Sequence, residues 1–301
     1  MPIVYVHGVA VRDQQGNQTG PDANPLLDHL LEDVAWESIE PQLRKFVAPE
    51  LSAAPNEVLL LRAYWGDLGG KLAWGGASFH HPEPARSSIV ESLAEVRSHI
   101  MSDIRLPLNQ MVARFFGDVL CYLNNRQSGN SPGPIPQRVI DELITAQKVK
   151  EQTGEPIVVL TNSMGGQIMY DVITYFLPRM AAQADIRIDL WCSVASQIGL
   201  FEELGLFLTS SPEYSAETGK RVPFPDRHHL GAWINVWDVD DVISYTVGGI
   251  IEDAEDIPFH VGRPLLNEHL GYLQDERFYK LFAEHVRRAI KPKTQSPKAD
   301  G

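Results

Sequence analysis

The chain is poor in cysteine: Cys121 and Cys192 are the only two among 301 residues, which excludes the dense disulfide framework of small secreted proteins. Both lie in apolar patterns, one helix-like and one strand-like, so we expect two buried thiols, with one disulfide as the alternative. No apolar run approaches the roughly 20 residues that span a membrane. The sequence also opens without a basic segment and a long apolar stretch. We therefore expect a cytoplasmic protein with no stable membrane insertion, or one exported without a cleaved signal.

Positive charge is also scarce. There are 26 Lys and Arg residues against 39 Asp and Glu residues, and the formal net charge of −13 argues against a nucleic-acid partner. The glycine-rich loops typical of NAD and ATP sites are missing, so we expect no cofactor. The histidine pairs at residues 80–81 and 228–229 lack acidic or cysteine partners at ligand spacing, so we expect no metal. The sequence leaves the oligomeric state open.

What the sequence does contain is an alternation of short apolar runs with helical patterns. Strand patterns cover residues 2–6, 57–65, 156–160, 186–193 and 232–237, and helical patterns cover residues 26–46, 88–104, 107–123, 137–150, 165–177 and 275–290. This order is typical of a mostly parallel, doubly wound α/β sheet, in which functional residues gather at the carboxyl ends of the strands. We expect one domain over residues 1–290 and a disordered polar tail at residues 291–301.

The strongest chemical signal lies at residues 160–166, LTNSMGG, which join a predicted buried strand to a predicted helix. A serine at such a junction lies on a sharp turn that raises its hydroxyl above the sheet. Gly165 and Gly166 supply the small residues that the turn needs, and the N–H of Met164 can point at a developing oxyanion. The alternative is an ordinary turn in which Ser163 caps the helix.

Residues 162–166, NSMGG, resemble the Gly-x-Ser-x-Gly nucleophile elbow of the α/β-hydrolase superfamily, especially the Ser-Met-Gly-Gly form of lipases and esterases. Thr161 stands where the first glycine of that pattern would be, which should tighten the turn. The resemblance implies an α/β-hydrolase fold with Ser163 as nucleophile. It covers the strand patterns at residues 1–6 and 57–65 and most of residues 156–290.

A second element of the resemblance is residues 4–9, VYVHGV, an apolar strand pattern that ends in His-Gly. In this family the segment supplies half of the oxyanion hole, so the backbone N–H of Val9, or of Ala10, would act together with that of Met164. The alternative is a simple turn at the glycine. We interpret His7 itself as structural.

Three aspartates accompany the last strand pattern, where the family's chain order of serine, acid and histidine places the acid. Asp241 opens the segment DVISY, which resembles the acid segment of lipase-type hydrolases, so we choose it over Asp240 and Asp238. The two others are interpreted as stabilising the loop. A calcium site built from the three is an alternative, although the spacing of a calcium-binding loop is missing.

Position in the chain singles out two of the ten histidines, His260 and His269, as candidates for the base. His269 begins a His-x-x-Tyr segment before the predicted last helix, where α/β-hydrolases carry their catalytic histidine, so we favour it over His260. By this resemblance His269 takes the proton of Ser163, and Asp241 orients the imidazole and stabilises its cation. An acyl-enzyme would then form on the serine and be hydrolysed.

Residues 66–136 form an insertion relative to a minimal domain of this family, whose members place lids there. Trp65, Trp74 and Phe115 are candidates for lining an apolar acyl pocket. The alternative is that the amphipathic helix predicted at residues 107–123 packs on the sheet as plain core.

The resemblance therefore implies a serine hydrolase that cleaves a carboxylic ester with an apolar acyl group, lipase- or esterase-like, acting on a small-molecule or lipid ester. A thioesterase, an amidase or an acyltransferase would use the same three side chains, since these do not determine the leaving group. A non-catalytic binding protein with the same fold is the alternative from a different class.

Overall fold

The computed structural model describes residues 2–9, 35–69, 116–211, 214, 219–262 and 268–290. Its centre is a six-stranded sheet in which all neighbouring strands are parallel. The eight strands of the described chain are β1 (Pro2–Val6), β2 (Leu59–Ala63), β3 (Gln127–Ser128), β4 (Ser131–Pro132), β5 (Val158–Asn162), β6 (Ile188–Val194), β7 (Leu230–Trp237) and β8 (Glu255–Pro258). The short β3 and β4 form a separate antiparallel hairpin.

The α-helices flank this sheet. They are α1 (Trp36–Gln42), α2 (Ala48–Leu51), α3 (Pro134–Thr153), α4 (Met164–Asp171), α5 (Ile198–Glu203), α6 (Glu268–Gly271) and α7 (Glu276–Ile290), and residues 116–125 are also helical. Two π-helical turns, Leu43–Val47 and Val172–Phe176, continue α1 and α4. Single 3₁₀ turns occur at Pro55–Glu57, Gly66–Leu68, Leu177–Arg179, Ala181–Gln183 and Tyr272–Gln274.

The strand order is β2-β1-β5-β6-β7-β8, so the progression of the chain across the sheet reverses at β1. The chain first adds β2 on one side of β1 and later adds β5 on the other side, where Val6 pairs with Thr161. In doubly wound sheets the carboxyl ends of the strands at such a reversal open a crevice that holds ligands. The segments that follow β1 and β5 are therefore neighbours in that crevice.

Each face of the sheet carries its own apolar layer, because side chains alternate along a strand. Val4 and Val6 point into a layer covered by α3, α4 and the helical residues 116–125. Ile3 and Tyr5 point into the opposite layer, which is covered by α1, α2 and α7. All five residues of β5 are buried, as expected for a strand with helices on both faces.

The prediction of a mostly parallel sheet flanked by helices is confirmed. The apolar pattern placed β5 two residues too early, because its last residues, Thr161 and Asn162, are polar yet pair with β6. Helix α3 starts three residues before its predicted start, because Pro134 occupies the first helical position, where no N–H is needed. It ends at Gly154, whose φ of 72° caps the helix.

The apolar pattern missed several elements, among them the short helix α5, strand β8 and the β3–β4 hairpin. Strand β8, with the sequence EDIP, lies at the sheet edge and is only partly buried, so it carries no continuous apolar run. The β3–β4 hairpin has two residues in each strand and lies in a segment rich in proline, glycine and serine. The helix predicted at residues 88–104, the first part of the one at 107–123, and the tail at 291–301 lie outside the described residues.

Both cysteines are free thiols, as expected. Cys192 is buried in the centre of the sheet, whereas Cys121 is only half-buried. The expectation of two fully buried thiols was wrong for Cys121, because the helix at residues 116–125 also has a solvent side, where Phe116 and Leu120 are 55% and 56% exposed. No helix within the described residues is long and apolar enough to cross a membrane.

A buried carboxylate connects helix α4 to two other segments. Asp171 ends α4 and is fully buried; it accepts hydrogen bonds from the Tyr122 hydroxyl at 2.7 Å and the Leu208 N–H at 2.9 Å. Arg126 forms an ion pair with it at 3.1 Å. Burial raises the pKa of the Asp171 carboxyl, and the Leu208 N–H and Arg126 offset only part of this effect.

We predict that Asp171→Ala lowers the free energy of unfolding by about 3 kcal/mol or more, because it leaves the Arg126 charge without its buried partner. Urea unfolding followed by circular dichroism measures this loss. The matched control is Asp141→Ala on α3, whose carboxylate accepts only an exposed bond from Gln137 and should cost less than about 1 kcal/mol. Equal losses in the two variants would contradict the assigned role of Asp171.

Candidate active site

Ser163 lies at the junction of β5 and α4, and its backbone is unusual for a serine. It has φ 50° and ψ −127°, one of three positive-φ residues other than glycine in the described chain. Such a conformation is strained for a residue with a Cβ and persists only where the surroundings impose it. The Ser163 N–H donates to the Val194 carbonyl at 2.9 Å, which fixes the turn to the end of β6.

Glycines on both sides of Ser163 permit this turn. A Cβ on Gly165 would lie 2.4 Å from the carbonyl oxygen of Val6 and 2.8 Å from that of His7. A Cβ on Gly8 would lie 2.8 Å from the Ser163 Cβ. Real Cβ atoms do not approach other heavy atoms so closely, so the contact between β1 and the start of α4 requires glycine at both positions.

Thr161, which replaces a glycine of the elbow pattern, has a defined place in the sheet. It is fully buried, and its hydroxyl accepts a hydrogen bond from the Trp191 indole at 3.0 Å. The turn therefore accommodates a Cβ at this position, because the side chain finds space and a donor beside β6. The departure from the pattern does not prevent the strand-to-helix turn.

The imidazole of His269 is hydrogen-bonded to the carboxylate of Asp241, with 2.9 Å between Nδ1 and Oδ2. The Asp241 side chain is 1% exposed and that of His269 is 13% exposed. The other carboxylate oxygen, Oδ1, accepts the Ile243 N–H at 3.2 Å. With a carboxylate acceptor at Nδ1, the neutral ring carries its proton there, and Nε2 is left with a free lone pair.

Ser163 Oγ and His269 Nε2 are both buried, and neither has a hydrogen-bond partner among the described residues. The structure thus forms the bond between His269 and Asp241 but not one between Ser163 and His269. Orphaned polar atoms are rare in protein interiors and are concentrated where function needs them. Bonds between a catalytic serine and histidine are often long in a resting site and shorten when substrate binds.

The two aspartates not chosen as the acid have other partners. Asp238 is buried and accepts the Val261 N–H at 2.7 Å and the Asp240 N–H at 3.1 Å, so it holds the loop after β7. Asp240 has a side chain that is 52% exposed and lies 3.4 Å from Nδ1 of His260, itself 71% exposed. Sequence spacing did not reveal this grouping, since His260 follows β8 rather than β7. Asp238, Asp240 and His260 each have a possible metal-ligand atom, and these atoms lie within 4.8 Å of one another.

His7 is almost fully buried, and both of its ring nitrogens have a hydrogen-bond partner. Its Nε2 accepts the Trp65 N–H at 2.9 Å, so the ring proton is on Nδ1, which donates to the Gly8 carbonyl at 2.7 Å. The ring stacks on the Trp65 indole at 4.9 Å, and that indole donates to the His7 carbonyl at 3.0 Å. A neutral His7 therefore connects the end of β1 to the segment after β2.

The remaining predicted site residues lie in different surroundings. Trp65 is fully buried in the core layer under α3 and α4, and the structure shows it packed on His7. Val9 follows the His-Gly turn and is partly buried, and Met164 is the first residue of α4, so its N–H has no acceptor within the helix. Trp74 and Phe115 lie outside the described residues.

Sequence reasoning missed a buried amide that connects the serine side of the site to the acid side. Gln197 donates from Nε2 to the carbonyls of Ala195 at 2.9 Å and Ile243 at 2.7 Å. Its Oε1 accepts from Gln167 of α4 at 2.6 Å. No motif marks these two glutamines, since their partners come together only when the sheet forms.

We predict that Gly165→Ala destabilises the protein by about 1–3 kcal/mol and displaces the serine, because the new Cβ would collide with the Val6 carbonyl. The clash outweighs the better helix propensity of alanine, which is worth about 1 kcal/mol. Thermal unfolding measures the loss. The control is Gly249→Ala, where no heavy atom lies within 4 Å of the new Cβ. An unchanged melting temperature for Gly165→Ala would refute the close packing described here.

Comparison with known proteins gives no assignment for this chain. No protein-family model matches it, and neither a curated protein nor a solved structure does. The functional interpretation therefore depends on the geometry of Ser163, His269 and Asp241 and on the surroundings of these three side chains.

Proposed function

We propose that this protein is a serine hydrolase with the α/β-hydrolase fold, and that it cleaves carboxylic esters through an acyl-enzyme on Ser163. The observation that carries the proposal is the pair of buried, unpartnered atoms, Ser163 Oγ and His269 Nε2. A purely structural serine or histidine at such depth would be expected to find a partner, since an unsatisfied buried group costs about 1–3 kcal/mol. In a hydrolase, these two atoms are the ones that exchange a proton.

The proposed first step is attack by Ser163 Oγ on the ester carbonyl carbon. His269 Nε2 takes the hydroxyl proton as the new C–O bond forms, and Asp241 stabilises the imidazolium without being protonated itself. The 2.9 Å bond between Nδ1 and Oδ2 supports this role, because it fixes the tautomer that leaves Nε2 free to accept the proton. The imidazolium then protonates the departing alkoxide.

The negatively charged oxygen of the tetrahedral intermediate needs hydrogen-bond donors that are already in position. We assign these to the backbone N–H groups of Val9 and Met164, the residues that directly follow Gly8 and Ser163, which are in close contact. The N-terminus of α4 adds the positive end of a helix dipole. In the second step His269 takes a proton from a water molecule as the water attacks the acyl carbon. The bond between the acyl carbon and Ser163 Oγ then breaks, the imidazolium returns its proton to Oγ, and the carboxylic acid is released.

An apolar acyl group is the substrate that the surroundings of the site favour. The loop that carries Asp241 exposes Val239 and Val242, which are 77% and 67% accessible. Large exposed apolar side chains on this loop favour contact with an apolar ligand over a charged one. We propose a small-molecule or lipid ester, with the insertion at residues 66–136 as a lid.

Fluorophosphonate labelling tests whether Ser163 is an activated nucleophile. We expect covalent labelling of the wild-type protein and none of Ser163→Ala, because only a serine with a general base attacks the probe at neutral pH. The exposed Ser128 provides the control, since Ser128→Ala should label as the wild type does. If the folded wild-type protein stayed unlabelled, the chain would instead be a non-catalytic binding protein.

Substrate class is tested with a panel of p-nitrophenyl esters of increasing acyl length, together with matched thioesters and amides. We expect Ser163-dependent turnover of esters, rising with acyl length as more apolar surface is buried. If thioesters or amides were turned over faster than esters, Ser163 would remain the proposed nucleophile and the assignment of esters as substrates would be wrong.

The choice of acid is tested by Asp241→Asn. We expect kcat to fall by roughly 10²–10⁴-fold, because asparagine does not hold the imidazole in the required tautomer or stabilise its cation. Asp240→Asn is the matched control; this neighbouring carboxylate is half-exposed and does not bond His269, so kcat should stay within about twofold of the wild type. The reverse pattern would assign the acid to Asp240.

A further inference from the structure

Tyr272 lies three residues after His269, in the 3₁₀ turn that follows α6. Its side chain is fully buried and stacks on Phe259, with 5.8 Å between the ring centroids. Its hydroxyl oxygen is buried and has no hydrogen-bond partner of ordinary geometry in the described part of the chain. A tyrosine hydroxyl normally finds a partner when buried, so this position needs an explanation.

The groups that act on this hydroxyl belong to the acid loop. They are the Asp241 carboxylate and the Ser244 hydroxyl, with the Asp238 carboxylate as a further negative charge. Ser244 itself is joined to Asp241 through the backbone, since its N–H donates to the Asp241 carbonyl at 3.0 Å. The Ser244 Oγ is also buried and without a partner in the residues described. The Tyr272 hydroxyl therefore lies close enough to interact with both the Asp241 carboxylate and the Ser244 hydroxyl.

The Tyr272 hydroxyl stays protonated and can therefore donate a hydrogen bond. Burial, and then the negative charge of Asp241, raise the pKa of Tyr272 far above its ordinary value. The hydroxyl consequently keeps its proton at every pH at which the protein would work. A neutral O–H next to a carboxylate can donate but has no charge of its own to repel the acid.

The carboxylate of Asp241 has capacity for such a donor. Its Oδ2 bonds to His269 and its Oδ1 bonds to the Ile243 N–H, whereas an ionised carboxylate has about four acceptor positions. The side chain is nearly inaccessible to water, so any further donor has to come from the protein or from a buried water.

We propose that Tyr272 is a positioning residue: its hydroxyl donates to the Asp241 carboxylate in the substrate-bound site, and thereby fixes the acid against His269. The inference rests on the proposed function of Ser163, His269 and Asp241. Tyr272 acts through Asp241 and does not touch the reacting atoms. The bond forms together with the one between Ser163 and His269, which is likewise open in this structure.

Tyr272→Phe removes the hydroxyl and keeps the ring that packs on Phe259. We expect kcat for the best ester to fall about tenfold with KM unchanged, as for the loss of one hydrogen bond made in the transition state. We also expect the acidic limb of the kcat/KM profile to move to higher pH. Without the hydroxyl, Asp241 keeps more of its negative charge for the imidazolium, so the protonated, inactive form of His269 persists to higher pH.

The matched control is Tyr279→Phe. Tyr279 is also fully buried, but its hydroxyl donates to the Leu273 carbonyl at 2.8 Å, away from the acid. This variant should lose stability without any change in the pH profile. If Tyr272→Phe behaves in the same way, with activity lost only in proportion to the folded fraction, Tyr272 is merely structural and the proposal is overturned.

A measurement that does not depend on turnover distinguishes a failure of this proposal from a failure of the proposed function. Proton NMR detects the far-downfield Nδ1 proton of His269, assigned by its loss in His269→Asn. With a non-hydrolysable phosphonate on Ser163, we expect Tyr272→Phe to shift this resonance and Tyr279→Phe to leave it unchanged. If the phosphonate does not bind Ser163, the proposed function fails. If it binds and the resonance is the same in Tyr272→Phe and wild type, only the role of Tyr272 fails.

Discussion

The close approach of β1 to the start of α4 is the constraint on which the site depends. Gly8 and Gly165 lack side chains at two positions of close contact. A Cβ on Gly165 would collide with the Val6 carbonyl, and a Cβ on Gly8 would collide with the Ser163 side chain. Because these contacts are made through backbone atoms, the segment after β1 lies directly against Ser163 and the start of α4. The strained φ of Ser163 is sustained by this packing and by the bond of its N–H to β6.

Asp241 and His269 come from the other half of the sheet, and a separate set of buried polar contacts holds the loop that carries Asp241. Gln197 fixes the Ile243 carbonyl just beyond Asp241, and Asn235 in β7 donates to the Tyr245 carbonyl at 2.9 Å and to Asp256 at 2.8 Å. Asp256 of edge strand β8 in turn accepts backbone N–H groups from the far end of the loop. The loop after β7 is thus fixed along its length, and the side chain of Asp241 can be aimed without regular secondary structure beneath it.

Structural features that depend on short-range sequence pattern could be predicted from the sequence. Features that depend on contacts between distant segments could not. A β-branched run followed by a serine, glycines and a helical pattern was enough to predict the parallel strand β5 and the turn at Ser163. The choice of Asp241 and His269 drew on chain order and on a family resemblance, and remains a prediction about catalysis, although the structure places the two side chains in contact. Strand β8 and the role of Gln197 could not be predicted, because an edge strand needs no apolar run and a buried amide has no spacing rule. Tyr272 was visible only as part of a His-x-x-Tyr segment.

The reactivity of the two free cysteines reports how the protein unfolds. The Cys192 thiol lies within β6 at the centre of the sheet, where burial also raises its pKa, so a thiol reagent reaches it only after the sheet separates. Cys121 lies on the helix that Asp171 anchors through Tyr122 and Arg126, and a local detachment of that helix would expose it while the sheet stays intact. If Cys121 reacts before Cys192, the helix at residues 116–125 has detached from α4 while the sheet is intact. If both react together, the protein has unfolded globally.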